Sequence, residues 1–477
     1  MPVQQIPLSQ GVIRERKGLE YVDFIPFNFL AVPKQVKDSS GYLRSYPGLT
    51  KVRDTPGASR GAMFNSLRGT VYRVMGDRLF EGQTDRGYAP QESALNTRVN
   101  MAMSSESVAL TIGGLLRIYK YDGAGESVVL ANWPSGSGKP TYDIGQVADV
   151  VRVRGRYIWS QKGTQRFGVT DLDDETHPDQ YRPFYTAESQ PDGIVALGAW
   201  RDFVVCFGAS SIEFFGLTGA SDTTAPIYSP QSSLLIDQGI AGKFARCRYA
   251  GSYAFLSGAA NGQPGVYLMG TGQAQKVSSA TIDRILYGYT ADQLSAVVME
   301  SFRWNNHELL IIHLSDIVLC YDATASNNGP QWCYLSTGLS GYAHRAIDYM
   351  WNGTDVLVAD KQESILGVVD GSVSSQYGEE AEHLLASPLL RLEGRRVFDL
   401  SIDSAGGGDS VDNIFMSQTE DGIVWGQEVR VPFNEPFNYN KTVLLRRVGY
   451  VRRNIGFKFR LITSSPVTVS DLRVRVE

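Results

Sequence analysis

The chain of 477 residues contains little of what enzymes and metalloproteins use for chemistry. Its five histidines show no HExxH or other metal-ligand spacing, and no serine lies in a GxSxG motif. The four cysteines, Cys206, Cys247, Cys320 and Cys333, form no CxxC pair, and we expect them to be reduced, buried thiols. The sequence therefore supports no metal site, no cofactor site and no catalytic residues.

Long apolar runs are also absent. No stretch approaches the roughly 18 apolar residues that span a bilayer, so we expect no membrane insertion. The first residues, MPVQQIPLSQGVIRERKG, lack the basic start and apolar core of a secretory signal. Apolar residues make up 43% of the chain and charged residues 20%, which is typical of a globular protein. The 49 glycines and 24 tyrosines favour strands joined by tight turns.

Three segments resemble ligand-binding motifs but break their patterns. WPSGSGKPT (133–141) has Trp133 where a phosphate-binding loop requires glycine. DLDDETHPD (171–179) has Thr176 where an EF-hand calcium loop requires glycine. TEDGIVW (419–425) is one residue shorter than the Asp-box turn of sialidase-type propellers. We interpret them as a connecting loop, a solvated acidic loop and a tight turn, with a cation site of another kind at 171–179 as the alternative.

Apolar strands recur along the middle of the chain. The segment HELLIIHLSDIVLCYD (307–322) reads as two strands with no polar face, and similar strand pairs occur before and after it. The intervals between successive units range from 37 to 56 residues when measured from Val71, Val108, Tyr157, Phe203, Tyr253, Leu309 and Val356. A unit of this length with several strands is typical of one propeller blade, whose middle strands are covered on both faces.

We therefore predict an all-β protein with a β-propeller of six or seven blades; the alternative is a string of β-sandwich domains. The predicted organisation is an extended N-terminal arm at 1–50, the propeller at 51–380 and a C-terminal β domain at 381–477, which the arm is a candidate to complete. Helices are expected to be few: Ile282, Ile285 and Leu286 share a helical face, and Thr290 with Gln293 has the spacing of a capping box.

The charge is unevenly distributed. Residues 441–477 contain nine Lys or Arg and only two acidic residues, a formal charge of +7, whereas the whole chain has −5. Such a basic segment fits contact with nucleic-acid phosphates, contact with an acidic protein partner, or solvated arginines on alternate strand positions. No interleaved stacking aromatics and no nucleic-acid motif accompany it, which disfavours the phosphate interpretation.

Four segments together resemble a known family. They are SSGYLRSYPGLTK (39–51), AESQPDGIVALGAWRDFVVCFGASSIEFFGLTG (187–219), NNGPQWC (327–333) and NEPFNYNKTVLLRRVGYVRRNIGFKFRLITSSPVT (434–468). In this order they resemble the tail hub, or packaged-DNA stabilisation, proteins of short-tailed bacteriophages. The resemblance extends over nearly the whole chain, and it brings no catalytic residues with it.

The resemblance implies a structural virion protein, assembled in the host cytoplasm, in a hexameric ring beneath the portal and its adaptor ring. The ring is expected to retain packaged double-stranded DNA, to carry tailspikes and a tail needle, and later to form part of the ejection conduit. We expect the partner interface to include Tyr42, Arg44, Arg446, Arg447, Arg452, Arg453, Lys458 and Arg460. The alternative function is a propeller glycosidase or receptor-binding tail protein that acts on host surface polysaccharide.

Overall fold

The structure is a computed structural model, and it describes most of the chain. The residues outside the description are 1–2, 9–10, 15–19, 37–38, 40, 92–97, 124–126, 131–142, 173, 180, 183, 220–224, 259–261, 326–330, 340, 406–411, 434 and 439–441. The interpretation of WPSGSGKPT as a connecting loop falls on these residues, as does Asp173 of the acidic segment.

Six strands form the N-terminal part of the chain. They are β1 (Val3–Pro7), β2 (Val12–Arg14), β3 (Tyr21–Asp23), β4 (Phe29–Val32), β5 (Tyr42–Ser45) and β6 (Gly48–Asp54). The short strands β2 and β3 pair with each other as an antiparallel ribbon. The other strands of this segment join larger sheets.

Seven sheets of four or five strands follow in chain order. The first three contain β7 (Ser59–Asn65), β8 (Thr70–Met75), β9 (Arg78–Glu81) and β10 (Thr84–Tyr88); β11 (Asn100–Met103), β12 (Ser107–Ile112), β13 (Leu115–Lys120) and β14 (Ser127–Val129); and β15 (Val147–Val153), β16 (Arg156–Gln161), β17 (Arg166–Val169) and β18 (Tyr185–Thr186). Strands that are consecutive in sequence are neighbours in each sheet.

The same pattern continues in the next two sheets. The fourth contains β19 (Ala196–Trp200), β20 (Phe203–Phe207), β21 (Ile212–Leu217) and β22 (Tyr228–Pro230), and the fifth contains β23 (Arg246–Tyr249), β24 (Ser252–Leu256), β25 (Val266–Met269) and β26 (Ala274–Lys276). A short 3-10 turn at Ser232–Leu234 follows β22.

The sixth and seventh sheets complete the series. The sixth contains β27 (Val298–Trp304), β28 (His307–His313), β29 (Val318–Asp322), β30 (Trp332–Thr337) and β31 (Tyr342–Ala343); the seventh contains β32 (Ala346–Trp351), β33 (Val356–Asp360) and β34 (Ile365–Asp370), with β6 beside β34 at its edge. The seventh sheet thus takes its fourth strand from an earlier part of the chain.

By its packing, the chain divides into two compact units. The sandwich unit comprises Met1–Val52, Phe302–Arg345 and Gly367–Glu477, and the stacked-sheet unit comprises Arg53–Ser301 and Ala346–Leu366. The expected bounds at about residues 51 and 381 stay a prediction.

Consecutive sheets of the stacked-sheet unit pack face to face. Four apolar clusters lie between them, and each takes its side chains from two neighbouring sheets of the first five. Between the second and third sheets, for example, Ile118 and Trp159 are fully buried. Within the third sheet, the Trp159 ring packs on its register partner Gly168, where a Cβ atom would lie 2.4 Å from a ring carbon. This burial on both faces explains why the strands lack a polar side.

Besides most of the sixth sheet, the sandwich unit contains two sheets that face each other. Its C-terminal strands are β35 (Ala381–Ala386), β36 (Leu390–Arg391), β37 (Arg395–Ala405), β38 (Asn413–Thr419), β39 (Val429–Pro432), β40 (Val443–Val451), β41 (Asn454–Thr463) and β42 (Thr468–Val476). One sheet has the order β4-β5-β42-β37-β40, with β1 also on β42, and the other has β35-β41-β38-β39, with β36 also on β41. An apolar core that includes Leu400, Val474, Phe457 and Leu461 lies between them.

Asn28 fixes the N-terminal segment within the sandwich unit. It is buried with φ of 54°, and its side-chain amide donates to the carbonyl oxygens of Ser336 and Glu382 at 3.1 and 2.8 Å. Its side-chain oxygen accepts from the backbone amide of Ser336 at 3.0 Å. Asparagine tolerates this left-handed backbone conformation better than most residues. Its side chain also supplies both the hydrogen-bond donor and the acceptor that these contacts need.

The two predicted helical turns are confirmed. Helix α1 (Ala280–Tyr287) begins after Ser279, whose side chain accepts from the Ile282 amide, and α2 (Ala291–Ser295) begins with the reciprocal capping box of Thr290 and Gln293. Neither described helix is long and apolar enough to cross a bilayer. All four cysteines are free thiols; three are buried and Cys247 is half-buried.

Candidate partner-binding surface

The residues predicted for a partner interface all belong to the sandwich unit but occupy different elements. Tyr42 and Arg44 are half-buried on β5; Arg446 is exposed on β40; Arg452 and Arg453 are exposed in the turn between β40 and β41; Lys458 and Arg460 are half-buried on β41. Arg447 belongs to β40, but its side chain is outside the description. The predicted residues therefore come from β5, β40, β41 and the turn between the last two, and their place in an interface stays a prediction.

Arg44 makes a contact inside its own unit. Its guanidinium carbon lies 4.6 Å from the centroid of the Trp304 ring, a cation–π geometry. Tyr42 is paired in register with Val32 on β4. Both residues therefore contribute to the packing of the N-terminal strands, whatever they contact outside the chain.

Lys458 and Arg460 are engaged by neighbouring strands. Arg460 donates to Glu428 at 3.1 Å, lies 3.6 Å from Glu382 and stacks 4.4 Å from the centroid of Phe415. The hydrogen bond from Arg460 lowers the pKa of Glu428, whereas burial raises the pKa of Glu382. Lys458 lies 5.1 Å from the ring centroid of Trp425. The positive charge of this pair is largely satisfied within the sandwich.

The turn with Arg452 and Arg453 meets a second arginine-rich segment. The amide of Leu392 donates to the carbonyl oxygen of Arg453 at 2.9 Å, and the amide of Gly394 donates to that of Val451 at 3.1 Å. Strand pairing brings three further arginines beside the turn, because β36 pairs with β41 and β37 pairs with β40. The registers are Arg391↔Asn454, Arg395↔Val451 and Arg396↔Tyr450. We call Arg391, Arg395, Arg396, Arg452 and Arg453 the arginine end.

The arginine end is exposed and carries an excess of positive charge. All five side chains are exposed. The acidic side chains beside them are Glu393 and Glu477, and Glu420 and Asp421 line the adjoining groove, which leaves a charge of +1. Arg391 is paired with Glu393 at 2.9 Å. Within the described part of the chain, the other four arginines make no ion pair within 4 Å. Charge that is exposed and uncompensated in the subunit is available to a partner.

Arg391, Arg395 and Arg396 were not among the residues predicted for the partner interface. The segment LRLEGRR, with a glycine between its basic residues, is a local signal for a basic turn. Nothing in the sequence pairs this turn with another about 60 residues later, because strand register depends on long-range packing.

A groove adjoins the arginine end. It has a volume of about 450 Å³ and is lined by the end of β38 and by both flanks of the β40–β41 turn, including Val424, Tyr450 and Asn454. Val424 and Tyr450 are 67% and 66% exposed. Next to them, Asp421 accepts from the amides of Val424 and Ile423 at 2.9 and 2.8 Å, and these bonds lower the pKa of Asp421. An exposed aromatic beside arginines is typical of protein-binding surfaces.

The described residues include no group of three or more His, Cys, Asp or Glu side chains that could hold a metal ion. In the acidic segment, Glu175 instead accepts from Ser104 and Ser107, both at 2.7 Å, and Asp174 accepts from Thr176 and pairs with His177. These carboxylates act as local hydrogen-bond acceptors.

Comparison with known proteins identifies the family. Residues 4–374 match the family model described as "Bacteriophage P22 Gp10, beta-propeller", and residues 382–477 match "Bacteriophage P22 Gp10, beta-sandwich". The chain belongs to the phage P22 Gp10 family. It is 47% identical over 478 residues to the tail hub protein gp10 of Salmonella phage P22, covering 100% of both chains.

Two solved structures show weaker similarity. Kluyveromyces lactis Hsv2 aligns with 12% identity and a TM-score of 0.34 over 64% of this chain and 93% of its own. An exo-beta-1,3-galactanase from Phanerochaete chrysosporium aligns with 9% identity and a TM-score of 0.30 over 89% of this chain and 100% of its own. Scores this low bear on neither fold nor function.

Family membership confirms three predictions. The fold is a β-propeller followed by a β-sandwich, and the seven sheets of the described residues fall within the predicted six or seven blades. The protein is a structural component of a phage tail and not an enzyme, since the full-length relative is a tail hub protein. This outcome argues against the glycosidase alternative.

Proposed function

We propose that the protein is the hub subunit of a short phage tail, in which six copies form a ring beneath the portal and its adaptor ring. The observation that carries this proposal is the 47% identity, over the full length, to a tail hub protein. The ring closes the DNA exit channel, stabilises the packaged genome, attaches tailspikes and a tail needle, and later becomes part of the ejection conduit. Rings of this kind close by head-to-tail contacts repeated between neighbours.

The arginine end is the surface that we assign to an acidic protein partner, either the adaptor ring or a neighbouring subunit. Arginine suits this role because its planar guanidinium binds carboxylates in a bidentate way. The adjacent groove, with exposed Tyr450 and Val424, offers apolar area that a protein can bury. The other predicted residues, Tyr42, Arg44, Arg446, Arg447, Lys458 and Arg460, stay candidates for the same or a second contact.

Contact with packaged DNA is transient in this proposal. A conduit lined with basic residues would bind DNA strongly, since roughly six to ten phosphate contacts already give tight, salt-sensitive binding. The net charge of −5 for the chain is compatible with a conduit that lets DNA pass.

Particles that lack this protein test the proposed function. They are expected to package DNA and then lose it, because the exit channel stays open. Purified full-length protein added after packaging should restore nuclease protection of the genome. Full protection of the genome without the protein would contradict the stabilising role, and release of sugar from host polysaccharide by the purified protein would contradict a purely structural one.

A further inference from the structure

A basic pocket lies within the stacked-sheet unit. It has a volume of about 230 Å³ and is lined by residues on or next to strands of four different sheets. Arg60 is on β7, Arg98 lies two residues before β11, Lys162 follows β16, and Lys243 lies three residues before β23. Backbone of the Gly113–Gly114 turn and the Phe244 ring complete the wall. Four of the lining side chains are cationic, and no described lining residue is acidic.

The carboxylates next to this pocket are already shared by several donors. Asp149 is fully buried; it accepts from the amide of Leu197 at 2.8 Å and from Asn100 at 2.5 Å, pairs with Arg246 at 2.6 Å and lies 3.9 Å from Lys243. These contacts occupy its available oxygen lone pairs.

Asp348 is shared in the same way on the other side. It accepts from Ser59 at 2.6 Å, pairs with Arg98 and lies 4.0 Å from Arg73. Glu300 is the third carboxylate near the pocket, and it interacts electrostatically with Arg73 and Arg98. Six cations in and around the pocket, namely Arg60, Arg73, Arg98, Lys162, Lys243 and Arg246, outnumber these three carboxylates by three.

Positive charge in a concave, partly buried site is costly unless an anion compensates it. Arg60 is fully buried and donates to the carbonyl oxygens of Gly76, Ala89 and Pro90 at 3.0, 3.0 and 3.1 Å, so the protein holds this charge in a fixed position. Lys162, by contrast, is exposed at the pocket and makes no ion pair with a described residue. The arrangement combines fixed buried charge with one free ammonium group.

We propose that this pocket binds a small oxyanion of the phosphate class. Its volume is below the roughly 300 to 1,000 Å³ of sites for drug-sized ligands, which favours a compact anion over a nucleotide cofactor or a peptide. Cationic residues line it from segments that belong to four sheets, so a bound anion would connect parts of the unit that are distant in sequence. It thereby stabilises the stacked-sheet unit independently of the arginine end and of the proposed hub function.

Binding is tested with the full-length protein and two probes, inorganic phosphate and pyrophosphate, against chloride at matched ionic strength. Thermal unfolding should show a saturable rise in Tm with the oxyanion, because a ligand that binds only the folded state stabilises it. Isothermal titration should give a matching Kd with one site per chain.

Lysine variants locate the site. Lys162→Gln should weaken the binding by about 10-fold or more, as expected when one charge-assisted bond is lost. The matched control, Lys120→Gln, changes an exposed lysine on β13 outside the pocket and should leave the Kd unchanged. Both lysines are exposed, so both variants are expected to fold.

Three results would overturn the proposal. One is a rise in Tm that does not saturate and equals that in chloride, which indicates a general salt effect. Another is an equal Kd for Lys162→Gln and Lys120→Gln, which places the anion elsewhere. The third is stabilisation by a glutamate-rich peptide without any by phosphate, which indicates a protein partner.

Discussion

Arginines occupy two contrasting environments in this protein. In the stacked-sheet unit, Arg73 and Arg98 are held beside Asp348, and the side chains of Arg73 and Asp348 are 3% and 2% exposed. At the arginine end of the sandwich unit, Arg395 and Arg453 are exposed and without an ion pair in the described part of the chain. Arginines are therefore part of the buried interior in the stacked-sheet unit and lie on the surface in the sandwich unit.

The contrast shows that burial and partners, more than composition, assign a role to a charged residue. A buried arginine whose carboxylate is removed leaves an unpaired charge, which is strongly destabilising. An exposed arginine costs little to remove, because water already solvates it. Stability measurements should therefore separate the two groups clearly.

The largest expected effect comes from Asp348→Asn. Asparagine tolerates the left-handed φ of 58° at this position, so the change removes charge without straining the backbone. Because Arg73 and Arg98 lose their shared carboxylate, we expect the free energy of unfolding to fall by about 3–5 kcal/mol. Urea unfolding at pH 7 measures it. Asp355→Asn, an exposed aspartate on the same sheet, is the control and should change little.

A buried histidine in the sandwich unit differs from the buried arginines, because burial without a carboxylate partner keeps a basic group neutral. His383 on β35 is 1% exposed, packs 5.3 Å from the Phe29 ring, and burial lowers its pKa from 6.5 to about 4. The unfolded chain binds a proton below pH 6.5, whereas the folded chain does so only near pH 4. The free energy of unfolding should therefore fall by about 3 kcal/mol as the pH is lowered from 6.5 to 4.

His383→Leu removes that titration while keeping a similar volume. Hydrogen exchange of β35 and β41 peptides, followed from pH 7 to pH 4, should show less acid destabilisation in this variant than in the unchanged protein. The control is His177→Gln, at a partly exposed histidine, which should keep the full pH dependence. Identical pH profiles for the unchanged protein and His383→Leu would contradict the assignment.

The smallest effect on stability is expected at the arginine end. Replacement of Arg395, Arg452 and Arg453 by serine should change the free energy of unfolding by no more than about 0.5 kcal/mol at each position. A larger loss in urea unfolding would mean that these arginines stabilise the subunit itself. The loss in the free energy of unfolding would then differ less between buried and exposed arginines than the structure implies.

Much of the fold could be predicted from local sequence patterns. Strands such as His307–His313, apolar on both faces, indicated sheets covered on both sides, and the capping box at Thr290 located a helix start. The edge position of β6 beside β34 could not be predicted, since it joins segments more than 300 residues apart. Such pairing depends on the folded arrangement rather than on local propensity.

The candidate site was only partly predictable for the same reason. The high density of arginine after residue 441 pointed to Arg452 and Arg453, but Arg395 joins them only through its register with Val451. Conversely, Arg460 belongs to the same basic segment, yet Glu428 on a neighbouring stretch of chain neutralises it. Composition locates charge along a chain, and sheet pairing decides which charges remain available.

Incorporation of the arginine-end variant into tails shows whether this surface binds a partner. Hub-deficient particles are mixed at physiological salt with unchanged protein, with the variant in which Arg395, Arg452 and Arg453 are serine, or with an Arg303→Ser control at an exposed arginine of the same unit. We predict normal stability for all three and at least a 10-fold loss of incorporation for the arginine-end variant alone. Normal incorporation of that variant would contradict the assignment of this surface to a partner.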